Sequence, residues 1–234
     1  MKIDFHTHTY YSYDSLMKPL KILEIAKKKG LNGIVICDHN TIQGGLETKK
    51  LNNDKNFTVI VGAEIATNAG DVTGIFLTKE INSRNFLDVV KEIRAQNGKV
   101  ILNHPFKGHD LTKIDFSEID FIEGYNSRLN LEDNEKAINL AKIHNIPFIS
   151  GSDSHLYGEI ANSFSIVKDI NSLIPLENNY KKSSYVYVTL SQYIKAFKVR
   201  KIKIFYSATK ILIKVILKDV FKKKFLQPAC NPTA

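Results

Sequence analysis

The chain has 234 residues, 43% hydrophobic and 24% charged, which excludes a disordered or fibrous protein and fits one large domain or two small ones with a buried core. Its formal net charge of +9 is concentrated near the C-terminus, where the stretch from Lys195 to Lys224 contains eleven Lys or Arg residues and one acid, Asp219. The remainder is close to neutral, so the basic isoelectric point predicts nothing about the ligand of that larger part.

Short apolar runs alternate with amphipathic stretches along the first 150 residues. In the first helix we expect Leu20, Leu23, Ile25 and Ala26 to face the core. The order strand, helix, strand favours a parallel α/β sheet or barrel. The apolar runs predict strands near residues 2–5, 33–37, 57–62, 72–77, 99–103, 119–123 and 147–150. Patterns with the helical period predict helices near residues 18–29, 84–97 and 131–144.

Side chains that can bind metal follow five of the predicted strands. His6 and His8 are two residues apart after the first strand and therefore project from the same side. Because the carboxyl ends of parallel strands meet on one face, we expect the five groups to converge. A single buried histidine is more often a hydrogen-bonded core residue, but five strand ends of this kind favour a Zn, Mn or Fe site. The other four groups are Asp38 with His39, Glu64, His104, and Asp153 with His155.

Five motifs occur in an order and spacing that resemble the PHP family, the polymerase and histidinol phosphatase domains. They are DFHTHTYYSYDS, CDHN, GAE, NHP and GSDSH, and the resemblance extends from residue 2 to about residue 200. It implies an α/β fold of the distorted (β/α)7 barrel type. It also implies two or three divalent metal ions at the C-terminal mouth of the barrel, and phosphoester hydrolysis as the activity.

The resemblance also implies a role for individual residues. Glu64 would bridge two metal ions, of which His104 binds the second. The ligands of the first ion would be His6, His8, Glu64 and Asp153, and the family's third site is matched by Asp14, His39 and His155. By the same resemblance Glu123 and Asn126 form an E-x-x-N element that shapes the site.

Two positions depart from the family pattern. Trinuclear relatives often have histidine where this chain has Asp14, and again where a GD step places Asp71. Because oxygen ligands replace nitrogen ligands there, Mn or Fe is as compatible with the site as Zn. The number of ions bound, two or three, is left open.

The expected chemistry needs no Ser or Cys nucleophile, because adjacent divalent ions acidify a shared water and hold the phosphoryl oxygens. Asp38 would orient a ligand histidine or simply cap its loop. We expect the catalytic residues to be Glu64, His104 and Asp153. Candidates for substrate binding, or alternatively solvated loop charges, are Lys107, His109 and Arg128.

We divide the chain into a metallo-phosphoesterase domain, 1–204, and a basic amphipathic helical tail, 205–234. The tail carries a lysine every fourth residue, at Lys210, Lys214, Lys218 and Lys222. It would pack on the barrel, contact a membrane surface through residues 205–226, or bind nucleic acid with its interleaved aromatic residues.

The first functional hypothesis is hydrolysis of a small phosphorylated metabolite or nucleotide, in a two- or three-metal enzyme. The alternatives are a nucleic-acid-processing nuclease or binding protein, which the neutral body does not favour, and a protein-tyrosine phosphatase. Two cysteines, no signal-peptide pattern and no apolar stretch of about 18 residues lead us to expect a cytoplasmic protein, with membrane contact only at the periphery.

Overall fold

The computed structural model describes the backbone of residues 1–225 and the side chains of residues 1–213. In this part of the chain nine strands form one mixed sheet. The strands are β1 (Lys2–Thr7), β2 (Gly33–His39), β3 (Thr58–Thr67), β4 (Gly70–Ile75), β5 (Lys99–Leu102), β6 (Phe121–Asn126), β7 (Phe148–Gly151), β8 (Ser163–Val167) and β9 (Pro175–Tyr180). The helices are α1 (Pro19–Lys28), α2 (Gln43–Leu51), α3 (Phe86–Arg94), α4 (Leu131–Ile143), α5 (Tyr185–Lys198) and α6 (Ile202–Phe225).

The sheet order is β7-β6-β5-β4-β3-β2-β1-β8-β9, and strands β1 to β7 curve into a nearly closed barrel. Closure occurs where the chain after β7 returns to β1. Thr7 and Ser154 form a parallel bridge there, and the His8 N–H donates to the Ser154 carbonyl at 3.0 Å. Nearer the middle of β1, the Ser152 N–H donates to Asp4 Oδ1 at 2.9 Å. The predicted α/β barrel is confirmed.

The strand and helix order had suggested a parallel sheet, but the observed sheet is mixed. β4 pairs antiparallel with both β3 and β5, and β8 pairs antiparallel with β1. Only residues 68–69 separate β3 from β4, and so short a connection permits a hairpin but no crossover. The predicted third strand ended at residue 62, five residues before the observed end, and this hid the hairpin. Helices α2 and α5 and strands β8 and β9 were not predicted.

Apolar side chains from each of strands β1 to β7 fill the interior of the barrel. This cluster includes Phe5, Ile60, Ile101 and Ile149, all at most 2% exposed. This apolar cluster lies beneath the polar mouth, and its close packing keeps the strand ends in fixed positions.

The buried face of α1 differs from the prediction at one residue. Leu23 and Ala26 are buried as expected, whereas Leu20 is 54% exposed and Ile22 takes its place in the core. The helix begins at Pro19, and residues 19, 22, 23 and 26 then form one face at the helical period.

The C-terminal part of the chain forms a helical hairpin of α5 and α6. Residue 205, where the tail was expected to begin, lies inside α6, and the division into domain and tail stays a prediction. The side chains of Lys214, Lys218 and Lys222, and all of residues 226–234, lie outside the described part. No helix in the described part is long and apolar enough to cross a membrane.

Candidate metal centre

The nine positions predicted as metal ligands all come together at the mouth of the barrel. Most of their side chains are at most 5% exposed, while His39 and Asp71 are only partly buried. Histidine nitrogens and carboxylate oxygens of three overlapping groups lie within 4.8 Å of one another. The groups are His8, His39 and His155; His6, His8 and Glu64; and Glu64, Asp71 and His104.

His6 and His8 point their Nε2 atoms at each other across 3.1 Å. His6 Nδ1 lies 2.8 Å from Glu123 Oε1 and donates to that carboxylate, so Nε2 is the ring nitrogen left to face His8 or a metal ion. His8 Nδ1 lies 3.0 Å from Ser12 Oγ, whose own proton goes to Asp38 Oδ1 at 2.6 Å. His8 Nδ1 is therefore the donor to Ser12, and its Nε2 carries a lone pair.

In the metal-free protein one proton lies between these two nitrogens. Burial opposes a charge on His6, but Cys37 and the carboxylates of Glu123, Asp153 and Glu64 raise the pKa of His6 well above its usual value, so His6 Nε2 donates to His8 Nε2. Burial and the neighbouring His155 lower the pKa of His8 to about 3, so His8 Nε2 keeps its lone pair. A metal ion that displaced the shared proton would bind both Nε2 atoms, and the His6–His8 pair is therefore suited to be two ligands of one ion. Asp38, which the sequence suggested as an orienting residue, acts on His8 through the Ser12 hydroxyl.

Glu64 connects the separate ligand groups through its two oxygens. Oε2 lies 3.5 Å from Nε2 of both His6 and His8 and 3.0 Å from His39 Nδ1. Oε1 lies 3.0 Å from His104 Nε2. Burial disfavours the charge on Glu64, but His6 and His39 hold the pKa of Glu64 well below its usual range. An ionised carboxylate with both oxygens in use is suited to bridge two cations.

Asp14 lies between two histidines of the predicted third site. Its Oδ2 is 3.2 Å from His39 Nε2, and its Oδ1 is 3.2 Å from His155 Nε2. His155 Nδ1 donates to the Asp153 carbonyl at 2.8 Å, which leaves Nε2 as the ring nitrogen that faces Asp14. Two buried side-chain nitrogen or oxygen atoms lack a hydrogen-bond partner within the described residues, and Asp14 Oδ1 is one of them. A cation at this point would satisfy both atoms.

The other unpartnered atom is Nδ1 of His104. His104 and Asp71 form the third ligand group together with Glu64. Asp71 reaches the mouth because β4 runs antiparallel and therefore begins where β3 ends. Burial and the charge of Glu64 raise the pKa of Asp71, which a nearby cation would reverse.

Two of the predicted catalytic residues have an unusual backbone. The φ angles of His104 and Asp153 are +27° and +51°, in a region that residues other than glycine seldom occupy. Such conformations concentrate at functional sites, where the surrounding contacts hold them in place. Here the His104 N–H donates to Glu123 Oε2 at 3.0 Å, and Asn126 Nδ2 donates to Asp153 Oδ2 at 3.2 Å. Glu123 and Asn126 thus shape the site, as the sequence suggested.

The donor set fits a multi-metal centre. Imidazoles and carboxylates in overlapping groups, with facing nitrogens and two unpartnered atoms, leave places that metal ions would fill in exchange for protons. Mn, Zn and Fe all accept such ligands, and the choice among them stays a prediction.

A cleft of about 290 Å³ opens above the ligands. Lys107 and Arg128, two predicted substrate contacts, line it. Arg128 is held by the buried Glu159, with Nε 3.0 Å from Oε1. His109 packs on Gly70 and directs its Nε2 to the Asp71 carbonyl at 2.9 Å, so it supports the start of β4. Its contact with a substrate stays a prediction.

The sequence reasoning missed three residues at the mouth, namely Tyr13, Gln192 and Lys195. Tyr13 stacks on His39 with ring centroids 4.3 Å apart and an interplanar angle of 2°. Lys195 Nζ lies 4.4 Å from the centroid of the Tyr13 ring. Gln192 and Lys195 belong to α5, which was not predicted. Tyr13 stood inside the first motif, but nothing in the pattern distinguished it from its neighbouring tyrosines.

Comparison with known proteins agrees with this geometry. The family model described as the PHP domain matches residues 4–207. An uncharacterized protein of Methanocaldococcus jannaschii is 35% identical over 142 residues, which cover 53% of this chain and 83% of the relative. A 5'-3' exoribonuclease of Haemophilus influenzae is 34% identical over 67 residues, which cover 29% of this chain and 24% of that enzyme.

Among solved structures, a two-domain protein from Bacteroides vulgatus contains a predicted PHP-like metal-dependent phosphoesterase. It superposes with a TM-score of 0.61 at 21% identity, and the match covers 74% of this chain and 61% of that one. At this identity the likeness shows a shared fold.

Proposed function

This chain belongs to the PHP domain family, and from that premise we propose that it is a metal-dependent phosphoesterase acting on a small phosphorylated metabolite or nucleotide. The observation that carries the proposal is the facing pair of Nε2 atoms of His6 and His8, with Glu64 3.5 Å from each. One ion could bind all three side chains, and Glu64 extends the arrangement toward His39 and His104.

Bound divalent ions would supply an acidified water molecule and neutralise charge on the phosphoryl group. The protein's own residues do the remaining work. Glu123 keeps the His6 proton on Nδ1, and Ser12 keeps the His8 proton on Nδ1, so both Nε2 atoms stay free to bind. Glu64 and Asp153 would hold ions at their carboxylates, and His104 would do so at the edge of the cleft.

Once divalent ions balance the four carboxylates that line the cleft, its charge and size support a compact anionic substrate. Lys107, Arg128 and Lys195 contribute cationic groups to a space of about 290 Å³. The Arg128 guanidinium is already neutralised by Glu159, which leaves the two lysines to attract a phosphate. A cleft of this size is at the small end of the range for ligand sites, which favours a metabolite or a single nucleotide over a long polyanion.

A nuclease is the second candidate, and the partial similarity to the exoribonuclease favours it over the tyrosine phosphatase. That similarity covers 29% of this chain, so it supports shared metal-binding motifs more than a shared substrate.

The test uses protein stripped by a chelator and reloaded separately with Mn, Zn or Fe. Each form is assayed with p-nitrophenyl phosphate, a panel of phosphorylated metabolites, short RNA and DNA, and a phosphotyrosine peptide. We expect phosphomonoester hydrolysis that requires metal. The His104→Ala variant should lose at least about a hundred-fold in activity, on the scale of losing a group that stabilises transition-state charge.

The control is His144→Ala, because His144 is exposed and stacks on Phe116, away from the mouth. Equal activity of the stripped and reloaded proteins, or an unchanged His104→Ala variant, would overturn the proposal. Cleavage of RNA alone would favour the second candidate.

A further inference from the structure

The α5–α6 hairpin exposes apolar and basic side chains around the groove between its helices. We call this region the α5–α6 surface, and its residues are Phe197, Arg200, Lys201, Ile202, Lys203, Phe205, Tyr206 and Ile213. Phe197 is 82% exposed, Ile202 68% and Tyr206 61%. Single exposed apolar residues are ordinary, but a group of this size marks a surface that contacts something else.

The two helices are packed on each other at this point, so the surface has a defined shape. The Tyr193 hydroxyl donates to Thr209 Oγ1 at 3.0 Å, and the Tyr193 ring meets Phe205 edge to face at 5.0 Å. Ala208 is 1% exposed on the inner side of α6. A groove of about 360 Å³, lined by Phe197, Ile202 and four neighbours, runs between the helices.

The charge of this segment identifies the kind of partner. From residue 178 to residue 218 the sequence has ten Lys or Arg residues and no Asp or Glu. A second copy of the chain would place cations against cations across a twofold interface. A nucleic acid would match the charge, but it would leave the aliphatic side chains of Ile202 and Ile213 without an apolar environment.

An anionic bilayer satisfies both features, because its headgroups attract lysine and arginine while its interface accepts apolar side chains. We propose that the α5–α6 surface docks the protein on anionic phospholipid, with Phe197 and Ile202 entering the interface and Arg200, Lys201 and Lys203 at the headgroups. None of these residues lines the metal cleft. The proposal is therefore independent of the proposed enzymatic function.

The experiment is co-sedimentation of the full chain with vesicles of phosphatidylcholine, alone or with one quarter phosphatidylglycerol. We expect binding to the anionic vesicles only, weakening as salt is added. Lys201→Glu with Lys203→Glu should reduce the partition coefficient about 25-fold, at about five-fold for each lysine. Phe197→Ser with Ile202→Ser should reduce it about ten-fold or more.

Matched controls lie elsewhere on the described surface. Lys49→Glu with Lys50→Glu reverses two exposed lysines of α2, and Ile143→Ser replaces a 74% exposed residue of α4. These variants should bind vesicles like the wild type. The melting temperature, and the hydrolysis of p-nitrophenyl phosphate if the wild type has that activity, should be unchanged in the Phe197 and Ile202 double variant.

Four results would overturn the proposal. They are absence of vesicle binding, equal binding to neutral and anionic vesicles, unchanged binding by either double variant, and a dimer in light scattering that Phe197→Ser dissociates. Binding to single-stranded RNA or DNA tighter than to vesicles, and weakened by the same variants, would also overturn it in favour of nucleic acid.

Discussion

His6 and Glu123 form a hydrogen bond of 2.8 Å between Nδ1 and Oε1, in a fully buried part of the barrel mouth. The second oxygen of the same carboxylate accepts the His104 N–H at 3.0 Å. One side chain of β6 therefore orients two proposed ligands, one after β5 and one in β1. Carboxylates that orient metal-binding histidines also set which nitrogen is free.

We expect Glu123→Gln to weaken metal binding about 10–100-fold, because the His6 ring loses the partner that keeps its proton on Nδ1. Competition with a chromophoric chelator measures this directly. Glu135→Gln, at an exposed position of α4, is the control and should bind like the wild type. Equal affinity in the two variants would show that Glu123 does not orient His6.

Lys198 holds the loop that carries Tyr13 and Asp14. Its Nζ lies 2.6 Å from the Tyr10 carbonyl, 2.5 Å from that of Ser12 and 3.2 Å from that of Ser15. We expect Lys198→Met to free this loop and to lower the number of metal ions per chain, since Asp14 would no longer be held near His155. Elemental analysis of the purified variant gives the number. Lys203→Met should keep the wild-type stoichiometry, and an equal stoichiometry in Lys198→Met would contradict the prediction.

Gly151 leaves room for the first ligand pair. A Cβ atom there would lie 2.4 Å from His6 Cβ and 2.6 Å from Glu123 Oε1, closer than atoms can approach. We expect Gly151→Ala to displace both side chains and to abolish the first metal site, as measured by calorimetric titration with Zn or Mn.

The comparison variant for this prediction is Gly30→Ala. Gly30 has φ +77° but open space around its Cβ position, so only backbone strain of about 1 kcal/mol is expected in the free energy of unfolding. Metal binding should be unchanged in that variant. If Gly151→Ala bound metal as tightly as Gly30→Ala, the close packing under His6 would not matter for the site.

Asp4 makes the stability of the metal-free protein depend on pH. It is fully buried beneath the site, and burial raises the pKa of Asp4 to about 6 despite hydrogen bonds from Ser152 and Ala161. Because the pKa of Asp4 is higher in the folded chain, its protonated carboxyl stabilises the fold. This contribution to the free energy of unfolding is complete below about pH 3.8 and is lost as the pH rises through about 6. The change is about 3 kcal/mol.

The measurement is the free energy of unfolding in urea, for the wild type and Asp4→Asn, between pH 3.5 and 7 with a chelator present. The wild type should lose about 3 kcal/mol relative to Asp4→Asn across this range. A difference between the two proteins that stays constant with pH would mean that the Asp4 carboxyl titrates normally.

The ligand candidates could be found from the sequence because each follows a recognisable apolar run. His6, His39 and Glu64 lie at or near strand ends, where parallel strands bring side chains to one face. Asp71 was proposed only by resemblance to a family. Its position at the mouth depends on the antiparallel direction of β4, which the predicted strand boundaries did not reveal.

Other features had no local pattern from which to infer them. The outward position of Leu20 depends on where α1 begins, and a shift of one or two residues changes which side chains face the core. The contact of Lys198 with Tyr10 joins residues 188 positions apart, and α5 itself has no motif that points to a metal cleft.

The sequence by itself determined the chemical identity of the centre: histidines and carboxylates at successive strand ends, in an order that specifies the barrel family. Only the tertiary structure decided which atoms of those side chains are free to bind. The reason is that the free nitrogen of His6 is set by Glu123, 117 positions away, and the start of β4 and the placement of α5 likewise depend on contacts between distant segments. Local residue patterns specify strands and ligands, whereas tautomers and the closure of a site depend on contacts made only in the folded chain.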